Sequence, residues 1–253
     1  MGLLVPYNTF WEASVPFDFR AEREALADRV QAALASSVEI VGRGTVASAE
    51  DGAELGRRLA EAGVEAILVL QTLAVMPAYT LACLRELPDV PVVVWTAHRR
   101  RGLPAEFDHA RITTEGATVG TPMLTNTLVR TGRTFELVIG LVDDEGTLAS
   151  VVETLGAAAT ATRLRRARIG RVGPVFQGYD CVEADDGRLR ASTGIEAVRI
   201  EAGEVRDLYL AVDQARVDEL ERETRELYAV QPDAEGDVLA SSLRAACALD
   251  DLV

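Results

Sequence analysis

The chain contains no lysine, so each of its 26 basic residues is an arginine. That removes the P-loop of nucleotide-binding proteins, whose lysine reaches the phosphates. Cysteine is scarce. Cys83, Cys181 and Cys247 are odd in number and far apart, which argues against a disulfide framework and against a C-x-x-C metal clip. They read as small buried or half-buried thiols, and the expected positions of Cys83 mid-helix and Cys181 in a loop leave no cysteine pair for acid–base work. Only two histidines occur, His98 and His109, in the region following a strand, and neither H-x-H nor H-E-x-x-H spacing is present. Apolar runs such as Ala66–Leu70 and Val92–Trp95 fall far short of the roughly 20 residues that span a bilayer. The start, Met1-Gly2-Leu3-Leu4-Val5-Pro6, has no basic segment and no apolar core before Asn8 and Glu12, so a cytoplasmic protein with no membrane partner is expected.

What is present is an acidic chain of 253 residues, 48% hydrophobic, with 40 carboxylates and a net charge of −14. Such a charge repels polyanions at long range, and no nucleic-acid partner is expected. The basic cluster Arg99-Arg100-Arg101 is followed by Gly102 and Pro104 and has no interleaved aromatic residue, the composition of a solvated loop.

From residue 3 to about 141, short Val/Ile/Leu runs alternate with amphipathic stretches, which is the form of repeated βα units around a parallel sheet. Strands are predicted at Leu3–Val5, Val38–Val41, Ala66–Leu70, Val92–Trp95 and Leu137–Ile139. Between the first two, Leu26, Val30, Ala33 and Leu34 fall at helical spacing with Asp18 as N-cap. Ser48-Ala49-Glu50-Asp51 starts the next helix and Gly63 stops it. Further helices are predicted over Met76–Glu86 and Pro122–Arg130. The connections suit a flavodoxin/Rossmann-like α/β domain over 1–145 with strand order 2-1-3-4-5. A helix over 146–166, apolar at Leu148, Val151, Val152, Leu155, Ala158 and Ala159, links it to a second α/β domain over 167–253. There, strands at Ile169–Val172 and Ala197–Ile200 precede two helices, one built on Val217, Leu220, Thr224 and Leu227, the other on Leu239, Leu243 and Ala246. Two strands are marginal alone, so this second domain is expected to be either unusually small or truncated before its remaining strands.

No complete catalytic set stands out. Gly42-Arg43-Gly44 sits where a dinucleotide turn would, but the third glycine is missing, which disfavours a nucleotide cofactor. The carboxylates at Asp143-Asp144-Glu145 and at Glu183, Asp185 and Asp186 suit helix caps. Position is more informative, since open parallel sheets bind ligands beyond the C-terminal ends of their strands. Three such ends are polar or aromatic: Pro6-Tyr7-Asn8-Thr9-Phe10-Trp11, Gln71-Thr72 and Thr96-Ala97-His98. Amides, hydroxyls and aromatic faces recognise polyols, and the same groups also serve to close a sheet edge.

The stretch Arg168-Ile169-Gly170-Arg171-Val172-Gly173-Pro174-Val175-Phe176-Gln177-Gly178-Tyr179-Asp180, followed by Gly194 and Val198-Arg199-Ile200, resembles the opening of the second domain of L-arabinose and L-fucose isomerases. Leu70-Gln71-Thr72, Pro91–Thr96 and Val138-Ile139-Gly140 are similar to segments of that family in the same order, and the likeness spans nearly the whole chain. It departs at Thr114-Glu115-Gly116, where arabinose isomerases tend to place a histidine. The resemblance implies an oligomeric aldose–ketose isomerase whose Mn(II) is held by two acidic residues and a histidine from later segments of the family fold. This chain would then be its N-terminal portion, inactive alone, without catalytic residues or metal ligands. It would contribute oligomer contacts and a pocket for a pentose or 6-deoxyhexose. Tyr7, Asn8, Trp11, Gln71, Thr72 and His98 are the candidate sugar contacts. The competing expectation is a two-lobed carbohydrate-binding protein without catalysis.

Overall fold

The computed structural model describes residues 1–102, 105–174, 178 and 184–252. Cys181, Glu183 and, from the stretch similar to the isomerases, Val175, Phe176, Gln177, Tyr179 and Asp180 lie outside the described residues. The chain divides into two compact units, Met1–Arg163 and Leu164–Val253.

The first unit is built on strands β1 (Gly2–Pro6), β2 (Gly42–Val46), β3 (Ile67–Gln71), β4 (Val92–His98) and β5 (Glu136–Leu141), all parallel, in the order β2-β1-β3-β4-β5. Alternation along the strands supplies two cores. On one face Leu3, Val5, Leu68, Leu70, Val93 and Trp95 meet α1 (Phe19–Leu34) through Leu26, Val30 and Leu34, and α6 (Glu145–Arg166) through Val151, Leu155 and Ala158. On the other, Leu4, Ile67, Val69, Val92 and Val94 meet Leu55 and Leu59 of α2 (Ala49–Glu61), Cys83 and Leu84 of α3 (Pro77–Arg85), and Leu124 and Leu128 of α5 (Ala117–Arg130). A parallel sheet covered on both faces explains why its central strands are almost continuously apolar.

The helix starts follow their capping residues. The Asp18 carboxylate accepts from the Ala21 amide at 2.9 Å and the Ser48 hydroxyl from the Asp51 amide at 3.0 Å, while Asp51 accepts from the Ala47 amide at 3.0 Å. Gly63, at φ 64°, ends the turn after α2 in the left-handed conformation.

The second strand differs from its predicted place. Val38 instead closes the end of α1, its amide donating to the Leu34 carbonyl at 2.8 Å, and the strand runs over Gly42–Val46. Packing is the reason. A Cβ at Gly42 would lie 2.6 Å from Leu59 Cδ2, and one at Gly44 2.9 Å from Leu55 Cδ1, so the glycines admit the α2 leucines against the sheet. Gly42-Arg43-Gly44 is therefore strand, not a ligand-binding turn. His109, expected in a loop, begins a short helix α4 (His109–Thr114) capped by Asp108. The predicted helix at Pro122 starts five residues earlier, at Ala117, with Pro122 exposed inside it.

In the second unit β6 (Arg168–Val172) pairs in parallel with β7 (Glu196–Ile200). Helices α7 (Asp186–Thr193), α8 (Ala202–Ala211), α9 (Gln214–Leu227) and α10 (Asp237–Asp250) accompany them. Of these, α7 and α8 are additional to the predicted elements. A small core gathers Val212, Val217, Leu243, Cys247 and Ala248.

Candidate functional site

In a sheet ordered β2-β1-β3-β4-β5 the chain reverses its winding direction between β1 and β3, and the crevice at the C-terminal ends of those strands is the switch point where ligands of doubly wound folds bind. Five of the six candidate sugar contacts lie at the ends of these two strands, Gln71 as the last residue of β3 and the other four just beyond them. The segments pack together: Tyr7, Phe19, Leu73 and Val75 form a buried cluster joined by Trp11, Val15 and Tyr79.

Within it the polar groups divide into two classes. Tyr7 is fully buried, its hydroxyl donating to Glu12 Oε1 at 2.8 Å, its ring 5.7 Å from that of Phe19 and 5.0 Å from the Arg20 guanidinium carbon. Burial, reinforced by the Glu12 carboxylate, drives the Tyr7 phenol well above its ordinary range, so it stays protonated. Trp11 Nε1 donates to the Ala74 carbonyl at 2.9 Å and Gln71 Nε2 to that of Leu73. Tyr7 and Trp11 spend their only side-chain donors on holding the loops, and Gln71 one of the two in its amide.

Asn8 and Thr72 are different. Asn8 Oδ1 caps a short 3-10 helix over Thr9–Ser14 by accepting from the Phe10 amide at 3.1 Å, but its Nδ2 reaches only Met76 Sδ at 3.7 Å, a weak acceptor. Thr72 is 2% exposed and its hydroxyl has no partner among the described residues. Beside Asn8 the apolar surface is open: Phe10 is 71% exposed and Met76 44%.

Beneath the β3 end, α5 approaches the backbone closely. A Cβ at Gly120 would overlap the Leu73 carbonyl oxygen and the Gln71 amide, so only glycine lets the helix brace the loop. Thr121 joins the brace through a 2.8 Å hydroxyl contact to Thr96.

His98 stands elsewhere. It lines an open cavity of about 670 Å³ at the ends of β4 and β5, with Arg100, Arg101, Gly140, Leu141, Asp144 and Thr147, and none of the other five candidates borders it. Asp144 accepts from the Thr147 amide at 2.9 Å and hydroxyl at 3.0 Å and pairs with Arg101 at 2.9 Å. The Thr147 bonds, helped by Arg101, hold its carboxyl below the usual range. Arg99 pairs with Glu22 at 2.8 Å and Arg100 with Glu115 at 3.5 Å, so the arginine cluster is tied to this unit's own carboxylates. The sequence marks the cavity only faintly, through an arginine run after one strand and an acidic run after the next.

No group of three or more His, Cys, Asp and Glu side chains able to hold a metal occurs among the described residues. Such a donor set for the Mn(II) implied by the isomerase resemblance is likewise not found among the described residues. Cys83 is sealed within α3, where burial pushes its thiol up to about 12, and Cys247 is also buried. Among the described residues no helix is long and apolar enough to cross a membrane. No protein-family model matches the chain, and no curated protein matches it.

Proposed function

We propose that this chain is the sugar-recognising N-terminal portion of a cytoplasmic, homo-oligomeric aldose–ketose isomerase of the arabinose/fucose type. In this reading it binds a pentose or 6-deoxyhexose at the β1/β3 switch point and leaves the metal-dependent hydrogen transfer to residues it does not contain. The observation that carries the reading is the buried, unpartnered Thr72 hydroxyl at that crevice. A buried hydroxyl without a partner costs about 1–3 kcal/mol, and because the Thr72 oxygen is sealed from solvent, a ligand hydroxyl recovers that cost only as the loop after β3 opens to admit it. The weakly engaged Asn8 amide supplies a donor, and the exposed faces of Phe10 and Met76 suit the C–H surface of a sugar ring.

Calorimetric titration with L-arabinose and L-fucose tests the reading, alongside an isomerase assay of the same preparation with Mn(II) added. Binding on the order of 1 mM, abolished in Asn8→Ala and without turnover, is the expected outcome. Turnover by the chain alone would contradict the assignment of chemistry to other residues. Binding tighter than about 1 μM without turnover would favour a carbohydrate-binding protein instead.

A further inference from the structure

We propose that the cavity at the ends of β4 and β5 is a second small-molecule site, one that takes an anion bearing a phosphate or carboxylate group. Its volume of about 670 Å³ lies in the range of small-molecule sites, and it opens at strand C-termini, where this fold class places ligands. Among the described residues its walls carry Arg100, Arg101 and His98 against one carboxylate, that of Asp144. Two guanidiniums against one lining carboxylate leave one positive charge in excess within the lining, partly offset by Glu115 at 3.5 Å from Arg100 Nε.

The groups already paired there leave donors to spare. Asp144 is spent on the start of α6, through the Thr147 amide and hydroxyl, and on Arg101. Arg101 commits one nitrogen, Nη2, to that pair, and Arg100 meets Glu115 only at 3.5 Å through Nε. Each guanidinium has five N–H donors in a planar fork suited to a tetrahedral or trigonal oxyanion, so both forks retain free edges. The Arg100 and Arg101 side chains are 56% and 80% exposed, so solvent screens them and the affinity falls in the millimolar range rather than below it.

His98 and His109 are the only histidines, which makes the test spectroscopic. Inorganic phosphate is titrated at constant ionic strength while the ring-proton resonances of both are followed, with His109 on α4 as internal reference. Saturable movement of His98 alone is expected, with a dissociation constant on the order of 1 mM and a loss of at least about tenfold in Arg100→Gln/Arg101→Gln. If the double variant loses its fold, Arg100→Gln by itself is read in the same way with a smaller loss. Acetate in place of phosphate tells which oxyanion the site prefers. The proposal falls if phosphate moves nothing, if chloride at equal ionic strength reproduces the shift, if L-arabinose moves His98 equally, or if the variants bind as well as the parent. None of these outcomes depends on Thr72 or Asn8, so failure here is separable from failure of the sugar reading.

Discussion

Thr72 gives the sharpest expectation at the level of single residues, because stability and recognition there have opposite signs. Thr72→Val removes a buried hydroxyl that has no partner among the described residues, so the urea midpoint should rise by the equivalent of about 1 kcal/mol while sugar binding weakens about tenfold. A structural role would give the opposite sign of stability change. Glu22 is the counterpart. It pairs with Arg23, whose side chain is 1% exposed, at 2.5 Å, and with Arg99 at 2.8 Å. Glu22→Gln leaves the buried Arg23 with only the Thr114 carbonyl and the more distant Glu115 charge and should cost about 3 kcal/mol, read from the same unfolding curves, whereas Arg23→Met should cost much less. Acid–base behaviour follows from burial as well. Cys83 has a raised folded value, so its contribution to stability is complete below the unfolded thiol value of 9.0 and is lost as pH rises toward 12; that of Tyr7, also raised, is complete below the unfolded phenol value of 10.0 and is lost above it. Unfolding free energy should therefore fall above about pH 9 through Cys83 and more steeply above about pH 10 through Tyr7 as well, by up to roughly 1.4 kcal/mol per pH unit for each group in its own range. Cys83 should also resist iodoacetamide at neutral pH until the chain is denatured. The sequence identified Tyr7, Asn8, Trp11, Gln71 and Thr72 as polar strand ends. It could not show that Trp11 and Gln71 are committed to carbonyls while Thr72 is not, since those partners are set by how loops close.

Among the elements, α5 and the loop after β3 form the most constrained contact. Gly120→Ala should cost about 2 kcal/mol or more in thermal or urea unfolding, because the methyl meets backbone rather than a movable side chain. Sugar binding should weaken with it, as the loop carrying Thr72 shifts. The long, strongly periodic elements were legible: α1, α2 and α6 start or run where their caps and apolar spacing place them. β2 was not, because its GRGTV sequence exchanges side-chain hydrophobicity for space that α2 leucines fill. Helix α7 buries none of its residues and so carries no apolar stripe to read, and α8 begins on a Glu201–Glu204 capping box in place of the usual Ser or Thr signal.

At the scale of the molecule, both candidate sites belong to the first unit, Met1–Arg163, at the C-terminal edge of a five-stranded parallel sheet. That edge was predictable from the βα repeat alone. Its division into two places was not: the switch point is fixed by strand order, and the arginine-lined cavity needs Asp144 and Thr147 brought beside His98 by the β4–β5 pairing. The second unit has its own small helical core and a two-stranded sheet with Ile169 and Val172 nearly half exposed. The central claim, sugar recognition at the β1/β3 crevice, is tested most directly by following threonine and methionine methyl resonances during titration with L-arabinose and L-fucose. Saturable shifts centred on Thr72 and Met76 are the expected result. Shifts confined to Thr147, or none at saturating sugar, would contradict it.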